Sequence, residues 1–220
     1  MATIAIICEG VSEFNILEHI ISKFCGTNHL LNPIQPRITG SHTQESDGGW
    51  AEVLSHCNDK VFNEIFQFND YLVIQIDTDS SYIKPYSVSH HFITGIPKSD
   101  KRLHAEIKAR LLSEISRPLR RKFLSKIIFA ICHNEIECWL LPLFYYDNRA
   151  CKTNNCIKIL NKALSKKNMD GIPDKGKNSD QARKAYKDIF KLMKKKERII
   201  EISTCSNGFN SFLKGLDTIN

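Results

Sequence analysis

Three short runs dominate what this chain can fold into: TIAIIC at residues 3–8, YLVIQI at 71–76 and KIIFAIC at 126–132. Each is rich in β-branched residues and apolar on both faces, the pattern of a strand covered on both sides in a parallel sheet. Amphipathic stretches of helical period lie between them. Phe14, Leu17, Ile20, Ile21 and Phe24 follow the first run, with Ser12 as the expected N-cap. Trp50, Val53, Leu54, Cys57, Val61 and Ile65 predict a helix over 50–66, and DKRLHAEIKARLLSEI predicts another over 100–115, with Asp100 as its cap. Strands alternating with helices predict an α/β, Rossmann-like fold with a mostly parallel sheet. PIQPRIT at 33–39 carries two prolines, so it fits only an edge strand. Residues 80–99 read as a long loop at a strand end. Pro142 shortens or kinks the helix expected over 134–144.

The chain has 220 residues, 42% hydrophobic and 25% charged, enough to bury a sizeable core and unlike a disordered segment. No apolar run approaches the ~20 residues of a membrane helix, and the N-terminus has no secretory pattern. The expectation is a cytoplasmic protein with its eight cysteines reduced and buried as small hydrophobes. Trp50 and Trp139 read as core residues. His90, His91 and His104 read as surface residues, and His133 as a satisfied, partly buried one.

Net charge is +7, but residues 152–198 hold fifteen Lys or Arg against five Asp or Glu, so the rest of the chain is net acidic. This divides the sequence into an α/β part, 1–150, and a basic helical extension, 151–220, packed on it. A helix is expected from Ser179 to Arg198, apolar at Ala182, Ala185, Tyr186, Ile189, Leu192 and Met193. Arg183, Lys184, Lys187 and Lys191 on its other face, with Lys175 and Lys177 before it, are candidate contacts for a phosphate backbone. A polyanionic partner is implied.

The apolar runs end in charge. Glu9-Gly10 follows the first, Asp77-Thr78-Asp79 the second, and Glu135 and Glu137 follow the third. In an open parallel sheet ligands bind beyond the carboxyl ends of the strands. Glu13 lies four residues after Glu9, one helical turn on. Carboxylates crowded on one rim repel one another, and a divalent cation removes that penalty. Oxygen ligands without a His or Cys set favour Mg²⁺ or Mn²⁺. Such a site suits phosphoryl chemistry. Gly10 is expected to let the backbone turn sharply and to leave room for a phosphate. Glu135 is expected to complement the dipole of the helix it begins.

These residues resemble the TOPRIM family, the metal-binding domain shared by topoisomerases, primases and OLD-family nucleases. The pattern is an apolar strand ending in Glu-Gly, here Glu9-Gly10, and a later one ending in Asp-x-Asp, here Asp77-Thr78-Asp79. E-G-x-x-E, with Glu13, is similar to the OLD-like branch. IECWLLPLF at 136–144 is similar to an IEAWLLAD element of small stand-alone TOPRIM-like bacterial proteins, and SNGFNSFLKGL at 206–216 to their Phe-bearing tail. The resemblance implies a Mg²⁺- or Mn²⁺-dependent nuclease acting on DNA, a role in phage defence and an ABC-type ATPase partner. It implies Glu9, Asp77 and Asp79 as catalytic metal ligands, with Glu9 as general base and Glu13 and Glu137 completing a second site. A lysine supporting the transition-state phosphate would come from Lys175, Lys177 or Lys184. Open alternatives are an RNA-processing TOPRIM enzyme, a catalytically inert TOPRIM subunit, and a phosphatase with Asp77 as nucleophile.

Overall fold

The computed structural model describes residues 1–39, 43–173 and 179–219. Among these, four strands form one sheet in the order β2-β1-β3-β4: β1 (Thr3–Ile7), β2 (Leu30–Gln35), β3 (Tyr71–Asp77) and β4 (Ile127–Cys132). Every pairing is parallel. The three apolar runs supply β1, β3 and β4, while the edge strand β2 runs over Leu30–Gln35 and shares only residues 33–35 with the expected 33–39. An edge strand needs ladder donors on one side only, so Pro33 is tolerated there.

Alternation along each strand feeds two cores. Ile4, Ile6, Val73, Ile128 and Ala130 face α1 (Val11–Phe24), the 3₁₀ helix Ile136–Leu143, α6 (Cys156–Lys166), α7 (Asp180–Phe190), α8 (Lys196–Ser203) and α9 (Asn207–Leu216). Ala5, Ile7, Leu72, Ile74, Phe129 and Ile131 face α2 (Trp50–His56), α3 (Asp59–Phe68), α4 (Asp100–Ser113) and α5 (Arg117–Phe123). The basic C-terminal segment thus shares a continuous core with the sheet. Trp139 stacks on Phe209 at 4.5 Å between ring centroids. Glycines let α9 sit directly on β4. A Cβ at Gly208 would enter the Ile131 carbonyl oxygen, and one at Gly215 would meet Ile128 at 2.6 Å. No helix among the described residues is long and apolar enough to cross a membrane.

Several local expectations are corrected. The helix over 50–66 breaks at Cys57, because Asn58 accepts the Val61 N–H at 3.0 Å and starts α3. The helix over 179–198 breaks after Phe190, where the chain turns to bury Met193, whose carbonyl contacts the His19 ring at 3.0 Å. The helix expected over 134–144 is a 3₁₀ helix, Ile136–Leu143, rather than an α-helix. Ser99, not Asp100, caps α4. Gly10, not Ser12, stands at the N-cap of α1. Trp50 is only partly buried, whereas Trp139 is fully in the core.

The cysteines also depart from expectation. Cys138 is bonded to Cys156, and Cys151 to Cys205, with Cα separations of 5.0 and 4.8 Å. Packing of α6 on the 3₁₀ helix brings the first pair together. This finding overturns the expectation of eight reduced cysteines for these four. Cys8, Cys25, Cys57 and Cys132 remain thiols.

Substituting Gly208→Ala should lower stability by about 1–3 kcal/mol, the usual cost of overpacking, despite alanine's better helix propensity. Urea denaturation would read this as a lower midpoint.

Candidate metal centre

β1 and β3 are neighbours running the same way, with Ile7 opposite Ile74, so their carboxyl ends open onto one rim. Glu9 lies two residues past β1 and Asp77 is the last residue of β3. Their separation is one hydrogen bond: the Asp77 N–H donates to Glu9 Oε1 at 2.6 Å. Gln75 clamps the pair from beneath. Its Nε2 donates to Asp77 Oδ1 at 2.8 Å, and its Oε1 accepts the Glu9 N–H at 3.1 Å. Gln75 is fully buried, so both of its bonds are made in a low-dielectric surrounding where loss of either is costly. The Glu9 carbonyl accepts the Gly49 N–H at 2.7 Å. Gly49 has φ +95°, a conformation that favours glycine.

Two further carboxylates approach from helices. Glu13 sits in the first turn of α1, where the helix dipole favours negative charge, and its Oε2 accepts the Ser12 hydroxyl at 2.8 Å. Gly10 has extended backbone angles, φ −163° and ψ 177°. The expected sharp turn is absent, and a Cβ there would lie 2.7 Å from Glu13 Oε2, the tip of a side chain that can shift. Glu137, in the first turn of the 3₁₀ helix, is fully buried, and its Oε1 accepts the Tyr186 hydroxyl of α7 at 2.6 Å.

The negative field of this group reaches common neighbours. Burial pushes the Tyr186 hydroxyl well above its ordinary range, and the charges of Glu137, Glu13 and Asp77 push it further. Burial raises the Cys8 thiol, and Glu13, Glu9 and Asp77 add to it. Cys132 is raised by burial, then by Asp77, Glu9 and Glu137. Glu9, Glu13, Asp77 and Glu137 thus act on shared buried neighbours near the ends of β1, β3 and β4.

Asp79 differs from the other four in being exposed. Its N–H donates to the Asn134 carbonyl at 3.2 Å, at the end of β4, and its charge acts on Tyr86 and His90. His90, expected at the surface, is half-buried and its Nε2 bonds the Thr78 carbonyl at 2.7 Å. It meets His133 edge to face at 5.5 Å. His133 Nδ1 in turn lies 3.1 Å from Asp100 Oδ1, the satisfied, partly buried state expected of it. His104 is likewise half-buried. Glu135 stands at the N-cap of the 3₁₀ helix without a capping hydrogen bond to it. Its Oε1 accepts the Ile157 N–H at 3.1 Å, capping the N-terminus of α6 from another segment.

The donor set decides which ion would fit. Glu9, Glu13, Asp77, Asp79 and Glu137 offer oxygen alone, suited to Mg²⁺ or Mn²⁺. Each of Glu9, Glu13 and Glu137 takes a neutral donor, and the five do not form a trio of ligand atoms within 4.8 Å. Among the described residues that spacing occurs only at Glu135, Cys138 and Cys156. The two sulfurs there are bonded to each other, so this trio does not offer thiolate ligands.

The basic face is less uniform than its sequence. Arg183 pairs with Asp180, Lys184 with Asp170 at 2.7 Å, and Lys191 with Asp188 at 2.6 Å. Lys187 lines a cleft between α1 and α7 together with Arg183, Tyr186 and His19. Lys175 and Lys177 lie outside the described residues.

Sequence reasoning does not single out Gln75, Tyr186 or the His133–Asp100 pair as parts of the site. Gln75 carries a signal, as the one polar residue inside an apolar run. Tyr186 carries none, since its spacing puts it on an apolar face. Comparisons with protein-family models, with curated proteins and with solved structures found no match for the chain.

Two outcomes follow from these contacts. Tyr186→Phe takes a donor from a fully buried carboxylate and should cost about 1–3 kcal/mol, measurable by denaturant unfolding. Asp100 has a carboxyl that burial raises, but the hydrogen bond and charge of His133, with the Asn207 N–H and His104, hold it below its ordinary 3.8. A depressed folded-state value gives stability that is present above pH 3.8 and lost as pH falls through the lower value. Asp100→Asn should therefore flatten the acid limb of a thermal-midpoint-versus-pH curve below about pH 4.

Proposed function

We propose that this chain is a TOPRIM-type, metal-dependent nuclease that hydrolyses phosphodiester bonds of DNA. The observation that carries the reading is the contact between Glu9 and Asp77 at adjacent strand ends, with Glu13 and Glu137 in the first turns of the helices that follow β1 and β4. Carboxylates gathered at one edge of a sheet repel one another, and the two in direct contact are the glutamate of the Glu-Gly signature and the first aspartate of Asp-x-Asp.

In this reading Glu9, Asp77 and Asp79 would hold Mg²⁺ or Mn²⁺, and Glu13 and Glu137 would contribute to a second position. A bound ion would lower the pKa of a water and offset charge on the scissile phosphate. Glu9 takes the proton of the attacking water as general base. Gln75 keeps Glu9 and Asp77 in register, and Tyr186 orients Glu137. Asp79, the exposed member, meets the solvent side where a substrate would arrive. Lys184 is the described candidate for the lysine that stabilises the transition-state phosphate, and its bond to Asp170 must open for that role. A role in phage defence and an ABC-type ATPase partner belong to the same proposal.

Plasmid incubated with Mn²⁺ or Mg²⁺ should be nicked by the native chain. Glu9→Gln should reduce the rate at least about 100-fold, as expected for loss of a general base and ligand together. Metal-dependent cleavage that survives Glu9→Gln would defeat the proposal, and binding of DNA without cleavage would select an inert subunit instead.

A further inference from the structure

We infer that the outer face of α6, rather than α7, is the surface on which this protein holds the phosphate backbone of duplex DNA. The inference rests on the nuclease reading for its choice of partner, but on separate residues. α6 buries Cys156, Ile157, Leu160, Ala163 and Leu164 against the rest of the protein. That leaves Lys158, Lys162 and Lys166 exposed, four residues apart, in one row along the helix. Successive lysines in such a row rise by about 6 Å. They line one groove of about 830 Å³ with Tyr145 and Arg149. The Arg149 guanidinium lies 4.2 Å from the Tyr145 ring centroid and is held by Asp147, so the uncompensated charge of the groove comes from the three lysines.

The contrast with α7 decides between the helices. On α7 three of the four candidate cations are met by Asp180, Asp170 and Asp188. α6 contains no Asp or Glu, and no carboxylate among the described residues pairs with Lys158, Lys162 or Lys166. Exposed ion pairs are weak individually, yet each acid lowers the local potential that a polyanion sees. A row of lysines that no described carboxylate pairs with, in a concave surface, is the stronger footprint for a duplex, which carries a negative charge about every 1.7 Å of axis.

The row is also joined to the acidic rim. Glu135 accepts the Ile157 N–H at the start of α6, and Asn134 donates to the Thr153 carbonyl just before it. Lys158 follows Ile157 directly. A duplex lying along α6 therefore has one end directed at the segment that carries Glu137. The repulsive carboxylates and the attractive lysines sit in adjoining parts of one path. Backbone affinity comes from α6, while the rim is left to the reacting phosphate.

The test is fluorescence anisotropy of a labelled DNA duplex of about 25 base pairs, in EDTA, from ~50 to ~200 mM KCl, with the full chain. Lys158→Glu/Lys162→Glu/Lys166→Glu should weaken binding at least about tenfold at ~100 mM salt. It should also flatten the plot of log K against log salt by about 2–3, near 0.9 for each phosphate no longer neutralised. Arg183→Glu/Lys191→Glu, on α7 and just past its end, should weaken binding less than about threefold. All five sites are exposed, and circular dichroism would confirm that each variant is folded. Equal binding by the α6 variant and the native chain, a larger effect in the α7 variant, or no duplex binding by the native chain at low salt would overturn the inference. Mn²⁺ titration of the native chain separates the two readings. Absence of metal binding alongside α6-dependent DNA binding would sink the nuclease proposal and leave this one standing.

Discussion

The Asp77 amide reaching the Glu9 carboxylate joins the carboxyl ends of the two central strands, and much else depends on that contact. A parallel ladder stops where its strands diverge, and the last N–H of β3 would otherwise face the rim without a strand partner. Glu9 supplies the acceptor. The fully buried Gln75 then ties the same two residues a second time. With β1 and β3 locked at this end, α1 leaves directly after Gly10 and delivers Glu13, and β4 leads into the 3₁₀ helix that delivers Glu137. Negative charge is concentrated here because all of these chain connections open onto the same rim.

The C-terminal segment completes this arrangement. Tyr186 crosses from α7 to Glu137, Glu135 caps α6, and the Cys138–Cys156 bond fastens α6 to the 3₁₀ helix. Phe209 and Phe212 cover Trp139. These contacts make the rim of the sheet and the basic helices one packed unit. Opposite charges are thereby held in adjoining regions without neutralising each other: the acids gather at strand ends, and the lysines of α6 face outward.

Much of this was readable from residues alone. TIAIIC, YLVIQI and KIIFAIC lack a polar face, so each needs cover on both sides, and a parallel sheet is the architecture that provides it. Two prolines demoted 33–39 to an edge. Acidic residues placed directly after such runs had to lie at the sheet's carboxyl edge. The reading failed where a local pattern was continuous but the chain was not. Cys57 and Asn58 carry on the helical period of 50–66, yet the Asn58 side chain offers a better start for a new helix. Met193 fits the stripe begun at Ala182, yet it reaches its buried position only because the helix stops at Phe190. Asp100 and Ser12 are good caps by type, but in the structure one holds His133 and the other holds Glu13.

Sequence by itself determined the strands, their parallel direction and the appearance of acids at their ends, because burial on two faces and the position of charge along the chain are local properties. Only the tertiary structure decided that Tyr186 meets Glu137, that Cys138 meets Cys156, and that Asp170 pairs with Lys184. Those outcomes turn on residues between 18 and 49 positions apart, or on the chance neighbourhood of an aspartate. No periodicity records a distance of that kind, since it is set by how helices pack across the sheet.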